Sequence, residues 1–379
     1  MNQEIHKLEN VTLNNNKTEF CLASNIGIQN FSLQDAEEIA FSNSISSVLG
    51  HVTQAYTKGK TMIFFGAKNN EDYPKNKLVY YDCDKKVEIF SAKFEEDILG
   101  IKILGNFVFV CFKNELRTLY NEDSKLVEKC RDKLDENYPN IFEVWSELDE
   151  DEDISKIYIS YPSGNKVIIN YRDVSNWESP TTIEFDFKKK IQNIFYIQKL
   201  NYLYVVDENG SNIYEYDVKN PIAKFCYQRG YSQPSKISSI TLIHGKYLAV
   251  NSSNRNIHIF NTVKSEKSYF SFQYFFDLLG NFETIQRCMK ISYNELDSSK
   301  EGAYFSSCFS EKGAILVGDE EKDELNVIAY NGFFYCLELD FQKYTYKILK
   351  KKKYGERHND KKISLLEPDD VNEIPTNKK

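Results

Sequence analysis

The chain has 379 residues, 41% hydrophobic and 27% charged, which predicts a soluble globular protein with a sizeable core and argues against disorder. Its formal net charge of −8 argues against nucleic acid as a partner, because nucleic-acid-binding surfaces need an excess of positive charge. No segment resembles a signal peptide or a membrane span, so we expect a cytoplasmic protein.

The cysteines and histidines do not form a recognisable site. The 8 cysteines are spread singly with no Cys-x-x-Cys pair, a pattern typical of reduced, mostly buried thiols. No nucleotide-binding, zinc-protease or serine-hydrolase motif occurs, and the 5 histidines do not cluster. We therefore expect a protein that is not an enzyme and binds no metal or cofactor, although a catalytic triad assembled in space leaves no sequence pattern.

Short runs rich in β-branched and aromatic residues recur along the whole chain. Most are about 4 to 8 residues long and are bounded by Asn, Asp, Gly or Ser, which is the pattern of β-strands. They lie at 20–24, 27–31, 61–66, 77–82, 101–104, 107–112, 156–161, 166–171, 192–197, 202–206, 211–216, 237–243, 247–250, 257–260, 315–317, 325–330 and 333–339. The sequence therefore predicts an all-β protein.

Three pairs of runs share one form, in which a strand, a polar turn and an aromatic-rich strand follow one another. They cover 203–216, 248–260 and 327–337, and the first two start 45 residues apart. A propeller blade takes about 40 to 45 residues, and seven blades need roughly 300. We predict a seven-bladed, WD-repeat-like β-propeller over residues 1–346, with a pair of β-sandwiches as the alternative.

Two segments stand apart from these repeats. The acidic run 146–153 is expected to be a solvated loop. The basic and polar segment 347–379, with lysines at 350–353, is expected to be a disordered tail. The lysine run either solubilises the chain or contacts an anionic surface.

An ordered set of motifs carries a family resemblance. YQRG at 227–230 precedes a strand, YLAVNSSNRNIHIF follows at 247–260, and FGAKNNEDYPKNKLVYYDCD and YPSGNKV stand earlier at 65–84 and 161–167. In this order they resemble motifs of the PROPPIN family, with YQRG in place of F/L-R-R-G. The resemblance covers about residues 20–340 and implies a seven-bladed propeller that binds phosphoinositides through two pockets, one for each arginine.

The first implied pocket departs from the family pattern. Gln228 replaces the motif arginine of this pocket. The preceding blade supplies the rest of the pocket in the family, and its serines, Gly-Thr and arginine correspond here to Val205, Asp207, Gly210, Ser211 and Tyr214. Two positive groups are lost and a carboxylate is gained, so a phosphate there would be repelled. We predict that this pocket is weak or dead.

The second implied pocket is better preserved. It consists of Arg229, Gly230, Ser252, Asn256 and His258. A guanidinium group binds phosphate through two charge-assisted hydrogen bonds, which suits an inositol phosphate. Three alternatives are that Arg229 pairs with a surface carboxylate, that His258 is structural, and that Ser252 and Asn256 are turn residues.

The segment 268–282 follows this pocket and is rich in aromatic residues. As a helix it has an apolar arc beside a narrow polar stripe, and Lys264, Lys267, Arg287 and Lys290 flank it. The resemblance implies a loop that inserts into a bilayer; the alternative is a buried core strand. The residues expected to insert are Tyr269, Phe270, Phe272, Phe275, Phe276 and Leu279.

The resemblance also implies a function. We expect a monomeric scaffold or effector that peripherally binds autophagosomal, endosomal or vacuolar membranes carrying phosphatidylinositol 3-phosphate or 3,5-bisphosphate. The implied partners are autophagy proteins, either a lipid-transfer protein or the lipidation complex. The alternative is a protein-interaction scaffold whose lipid sites are vestigial.

Overall fold

A computed structural model of the chain describes residues 8–14, 17–24, 27–42, 51–54, 61–66, 71–82, 85–122, 125–219, 223–230, 233–263, 283–296, 314–330 and 332–353. The chain divides into two compact units, Met1–Lys188 and Lys189–Lys379. Strands dominate the described residues of both units. The helical elements there are a 3-10 turn, Gln198–Leu200, and α1, Tyr293–Leu296, neither of which could span a membrane.

The first unit contains four antiparallel sheets in its described residues, each of four strands in chain order. The first two are β1 (Leu8–Leu13), β2 (Glu19–Ser24), β3 (Gly27–Ser32) and β4 (Glu38–Ser42), then β5 (His51–Gln54), β6 (Thr61–Phe65), β7 (Lys77–Asp82) and β8 (Val87–Lys93). The next two are β9 (Gly100–Leu104), β10 (Phe107–Cys111), β11 (Glu115–Glu122) and β12 (Lys125–Lys133), then β13 (Glu143–Leu148), β14 (Ile154–Ser163), β15 (Lys166–Asp173) and β16 (Asn176–Asp186). Each sheet is a meander of hairpins.

The second unit adds three four-stranded groups of the same kind. They are β17 (Ile191–Ile197), β18 (Tyr202–Asp207), β19 (Asn212–Asp217) and β20 (Ala223–Gln228); β21 (Ile237–Ile243), β22 (Tyr247–Ser252), β23 (Asn256–Asn261) and β24 (Glu283–Ser292); and β25 (Ala314–Gly318), β26 (Glu324–Ala329), β27 (Phe333–Asp340) and β28 (Thr345–Lys353). The first two groups are joined into one eight-stranded sheet, because β24 pairs in parallel with β20 as well as antiparallel with β23.

Burial follows strand position within each sheet. All five residues of β10 are buried, whereas the outermost strand β16 is mostly exposed. A strand buried on both faces reads as a continuous apolar run, which is why FVFVC shows no alternation. Within the second unit, Tyr204, Leu248 and Phe260 belong to one apolar cluster, so the groups β17–β20 and β21–β24 pack on each other.

The predicted strands and hairpin repeats are confirmed. The three repeats are the pairs β18–β19, β22–β23 and β26–β27. The boundary of the tail was placed too early, because β28 continues to Lys353 and pairs with β27. Its lysines suit an outermost strand, where the backbone pairs on one side and long side chains cover apolar groups, as Lys351 does over the Phe333 ring at 4.9 Å.

The acidic run is likewise only partly a loop. Its first residues complete β13, which ends at Leu148, and the turn 149–153 then leads into β14. Asp149 closes this turn by accepting hydrogen bonds from the backbone N–H groups of Asp151 and Asp153.

Candidate functional site

The residues of the better-preserved pocket meet at one end of the eight-stranded sheet. Arg229 directly follows β20, Ser252 ends β22, and Asn256 and His258 lie at the start of β23. Because β20 and β23 both pair with β24, these chain segments lie close together. The structure thus brings Arg229 close to His258, which is 29 residues further along the chain, and the two side chains interact electrostatically.

Arg229 is buried, with 3% of its surface exposed. Its Nε donates to the carbonyl oxygen of Gly210 at 2.8 Å, and its Nη2 donates to that of Gln233 at 3.0 Å. Burial lowers its pKa, and the neighbouring guanidinium of Arg287 lowers it further, against the opposing effect of Asp207. An arginine stays charged in proteins even so, so Arg229 brings a fixed positive charge into the site.

Gly210 is required where it stands. Its φ of +61° lies in the left-handed region, and a Cβ there would come within 1.9 Å of the carbonyl oxygen of Ser235. Its own carbonyl accepts the Arg229 hydrogen bond. Any side chain at position 210 would therefore disturb the support of the guanidinium.

His258 is buried between two partners. Its Nδ1 lies 3.0 Å from Nη1 of Arg287, and its Nε2 lies 3.3 Å from Oγ of Ser252. Arginine can only donate, so Nδ1 is the acceptor and the proton of the neutral ring is on Nε2. The Ser252 hydroxyl in turn donates to the carbonyl oxygen of Asn256 at 3.1 Å.

The surroundings keep His258 neutral. Burial lowers its pKa to about 3, aided by the positive charges of Arg287, Arg229 and Lys290. At neutral pH the ring is therefore an uncharged acceptor among cations.

A β-bulge brings Arg287 to this site. In the β23–β24 ladder Ile259 pairs with Met289, but Phe260 pairs with Arg287, so Cys288 is the extra residue. A one-residue shift moves following side chains to the other face of a strand. Arg287 thereby lies on the same face as His258, whose direct partner across the ladder is Lys290.

Arg287 and Lys290 are the exposed cations of the site. Among the residues that the structure describes, neither has a carboxylate within ion-pair distance, and the guanidinium of Arg287 has its single hydrogen bond to His258. Ser252 and His258 are buried, and Asn256 and Gly230 are half-buried. The predicted binding residues are thus buried or half-buried. Arg287 and Lys290, which the sequence analysis did not include in the pocket, are the exposed positive groups beside them.

The degenerate pocket is filled by the protein itself. The buried Asp207 carboxylate accepts hydrogen bonds from the backbone N–H groups of Ser211 and Asn212, at 2.9 and 3.2 Å, and from the Asn212 side chain at 2.8 Å. Lys189 completes the arrangement, since its Nζ lies 3.2 Å from Asp207 Oδ2 and 3.1 Å from the Tyr214 hydroxyl.

Lys189 is charged in this arrangement. Burial disfavours its charged form, but the Tyr214 hydroxyl and Asp207 outweigh burial, and its pKa is raised. Both positive and negative groups of the pocket are thus satisfied internally.

Gln228 bonds to another side chain of the same sheet. It pairs with Gln286 across the parallel strands β20 and β24, and its Oε1 accepts a hydrogen bond from the Gln286 side chain at 2.8 Å. The side chain at the replaced position of the motif therefore adds one hydrogen bond to the backbone pairing of the two strands.

The aromatic segment 268–282, with all of its residues expected to insert, lies outside the described residues. Among the described residues, no group of three or more His, Cys, Asp or Glu side chains is arranged to hold a metal ion.

Comparison of the sequence with protein-family profiles and with curated proteins gives no match. Solved structures are nevertheless similar over most of the chain. Hsv2 from Kluyveromyces lactis is 10% identical, with a TM-score of 0.67, covering 92% of this chain and 99% of its own. KlAtg21, solved in a complex with the coiled coil of AgAtg16, is 15% identical, with a TM-score of 0.63 and the same coverage of 92% and 99%.

Sqt1 from Saccharomyces cerevisiae is 9% identical, with a TM-score of 0.57, covering 92% of this chain and 86% of its own. Hsv2 and Atg21 are PROPPINs. At these identities the similarity concerns the fold. The chain is a seven-bladed, WD-repeat-like β-propeller, and its predicted resemblance to the PROPPIN family is confirmed at the level of the fold.

Proposed function

We propose that this chain is a divergent PROPPIN, a scaffold recruited to membranes by phosphatidylinositol 3-phosphate or 3,5-bisphosphate in autophagy or in endosomal or vacuolar traffic. The headgroup binds at the pocket of Arg229, Gly230, Ser252, Asn256 and His258, and the pocket around Asp207 does not take part. The role requires no catalysis. The protein is peripheral on the membranes concerned and otherwise cytoplasmic.

One observation carries this proposal: Arg287 and Lys290, the exposed cations beside His258, have no carboxylate partner among the described residues. The arginines of the first unit contrast with them, because Arg117, Arg131 and Arg172 each pair with a carboxylate at 2.5 to 2.8 Å. Arg287 has no such partner among the described residues. In a chain of net charge −8, an exposed cation beside a neutral histidine favours an anionic ligand.

A single headgroup site gives modest affinity, and a second membrane contact would multiply it. Once the headgroup is bound, insertion of the segment 268–282 becomes an intramolecular event with a high effective concentration. Binding then requires both the right lipid and access to the bilayer. The same segment carries one pair and one run of three adjacent aromatic residues, Tyr269–Phe270 and Tyr274–Phe276, which suit the membrane interface.

The structure of KlAtg21 with the AgAtg16 coiled coil supports a protein partner of the same kind. We expect an autophagy protein with a coiled coil, or a lipid-transfer protein, to bind this propeller once it is on the membrane. Membrane recruitment and partner recruitment would then be separate functions of one scaffold.

Vesicle flotation tests the lipid site. The Arg229→Gln variant removes the buried charge and leaves one amide nitrogen as a hydrogen-bond donor at this position, where Arg229 uses two nitrogens for the Gly210 and Gln233 carbonyls. We expect roughly tenfold weaker binding to vesicles with phosphatidylinositol 3-phosphate, because the variant loses a positive charge close to the headgroup, and such a charge contributes on the order of a few kcal/mol at a protein surface. Arg131→Gln, which removes a guanidinium from the first unit, is the matched control and should bind as the wild type does.

The alternative, a protein-interaction scaffold with vestigial lipid sites, also has an observation in its favour. Both hydrogen bonds of Arg229 to carbonyl groups are those of a structural arginine. This alternative would be established if neither the wild type nor Arg229→Gln bound vesicles with phosphatidylinositol 3-phosphate more strongly than vesicles without it, and if the variant had a lowered melting temperature.

The aromatic segment is tested separately. Replacing Phe275 and Phe276 with serine should weaken vesicle binding strongly and leave the melting temperature unchanged, because the side chains insert only in the presence of lipid. A large fall in melting temperature would support a buried strand instead. Binding of the soluble headgroup should be the same in the variant and the wild type.

A further inference from the structure

The exposed and buried cations of the His258 pocket have different roles. Arg229 is 3% exposed and donates two hydrogen bonds to backbone carbonyls. Arg287 is exposed and its guanidinium donates a single hydrogen bond, to the neutral ring of His258. A guanidinium has five N–H donors, so most of those of Arg287 face solvent. An anion that approaches the pocket therefore meets Arg287 first.

The position of Arg287 depends on a specific backbone feature. Without the bulge at Cys288, regular alternation would place Arg287 on the face of Met289, which packs in the apolar cluster with Ile259 and Ile291. The bulge instead places it beside His258, and the Cys288 thiol donates to the carbonyl of Ile259 at 3.1 Å. Bulges commonly re-aim side chains next to functional sites.

We infer that Arg287 is a phosphate-binding residue of this pocket, and that His258 is the neutral acceptor that holds its guanidinium in place until an anion arrives. The inference rests on the proposed function and extends it to a residue outside the family motif. The buried Arg229 then attracts the anion as a fixed positive charge without contacting it. The Ser252 hydroxyl oxygen accepts a hydrogen bond from Nε2 of His258 and so favours the tautomer with the proton on that nitrogen.

Charge defines the ligand class. Arg229, Arg287 and Lys290 surround the pocket, and among the described residues the exposed pair has no carboxylate partner. The neighbouring Asp207 is bonded to Lys189. A phosphate monoester carries about −1.5 to −2 charges at pH 7, which matches this excess. Charge thus selects a phosphate monoester, and under the proposed function this is an inositol phosphate, either as a lipid headgroup or as a free molecule.

The test compares Arg287→Gln, Arg287→Lys and a control. Lys246→Gln removes one exposed positive charge from the turn at the opposite end of β22, without an ion pair among the described residues. Each variant is titrated with vesicles containing phosphatidylinositol 3-phosphate and with the deacylated, soluble headgroup. We expect Arg287→Gln to bind both roughly tenfold or more weakly, Arg287→Lys to recover part of the loss, and Lys246→Gln to bind as the wild type does.

A nuclear magnetic resonance measurement distinguishes binding from a structural role. When phosphate takes up the Arg287 guanidinium, Nδ1 of His258 loses its donor. The ¹⁵N signal of this nitrogen, assigned by comparison with His258→Gln, should shift when soluble headgroup is added to the wild type. In Arg287→Gln the signal should start at a shifted position and respond little to the headgroup.

The outcomes distinguish the role of Arg287 from the proposed function of the whole chain. If wild type binds and Arg229→Gln does not, but Arg287→Gln binds within twofold of wild type, the role of Arg287 is wrong and the proposed function stands. If wild type binds neither vesicles nor soluble headgroup, both are wrong. Binding of the soluble headgroup alone would identify a free inositol phosphate as the ligand; it would support Arg287 and count against membrane recruitment.

Discussion

Two neighbouring pockets of the second unit contain similar groups and satisfy them in opposite ways. Around Asp207, the carboxylate receives three hydrogen bonds from Ser211 and Asn212, and Lys189 neutralises it. Around His258, an uncharged ring is surrounded by cations, and the exposed Arg287 has no carboxylate partner among the described residues. The difference is that Asp207 and Lys189 neutralise each other in the first group, whereas the exposed cations around His258 have no carboxylate partner among the described residues.

The largest effect on stability is expected from removing the Asp207 carboxylate. Asp207→Ala leaves the N–H groups of Ser211 and Asn212 without their acceptor and leaves Lys189 without its counter-ion. Leaving N–H groups that are partly buried without an acceptor costs about 1–3 kcal/mol, whereas Lys189 adds little because its side chain is 46% exposed and water can solvate it. The free energy of unfolding from urea titration should fall by that amount, whereas Asp173→Ala, at an exposed aspartate of the first unit, should change it by less than about 0.5 kcal/mol.

Burial of His258 should make the free energy of unfolding depend on pH. The pKa of His258 is about 3 in the folded protein, against 6.5 for a free histidine, so the unfolded chain takes up the proton first as the pH falls. The stabilisation is complete above about pH 6.5 and is lost toward pH 3. Between pH 8 and pH 5 this group alone should cost about 2 kcal/mol.

Comparison of wild type with His258→Gln isolates that loss. The variant starts less stable at pH 8, because Arg287 and Ser252 lose their partner, but its stability should fall less toward pH 5. Parallel curves for the two proteins would show that His258 titrates normally in the folded state, and the neutral acceptor assigned to it would then be wrong.

The smallest effect is expected from restoring the missing arginine. Gln228→Arg should change the affinity for phosphoinositide vesicles by less than about twofold, because Asp207 and Lys189 already fill the pocket and a single surface-exposed charge contributes little. Loss of the Gln286 hydrogen bond should lower the melting temperature slightly. A tenfold gain in affinity would mean that this pocket lacks only its arginine and is not closed.

Much of the fold could be predicted, since strands bounded by polar turns recur at a blade-like spacing. Gln228 and Asp207 could also be identified as departures, because they occupy positions of a short motif. The role of Arg287 could not be predicted, since a single bulge residue, Cys288, reverses the face on which it lies. Lys189 was missed for another reason: it precedes β17 and reaches Asp207 only through the folded sheet.

The tail boundary was wrong for a compositional reason. A run of lysines has the composition of a disordered tail, but strand pairing depends on the backbone. The strand β28 pairs with β27, and Lys351 lies over the Phe333 ring. Composition predicts whether a segment can form a core of its own. It does not predict whether an existing sheet edge will accept it.

The parallel pairing of β20 with β24 has a consequence for how this molecule opens. Repeat proteins usually behave as chains of units that open one at a time, with each unit contacting only its neighbours. Here backbone hydrogen bonds join two consecutive groups along 225–228 and 283–286. The amides of this seam should exchange with deuterium together and slowly, as one cooperative unit of eight strands. The end of the sheet that contains Arg229, His258 and Arg287 is thus part of this joined sheet.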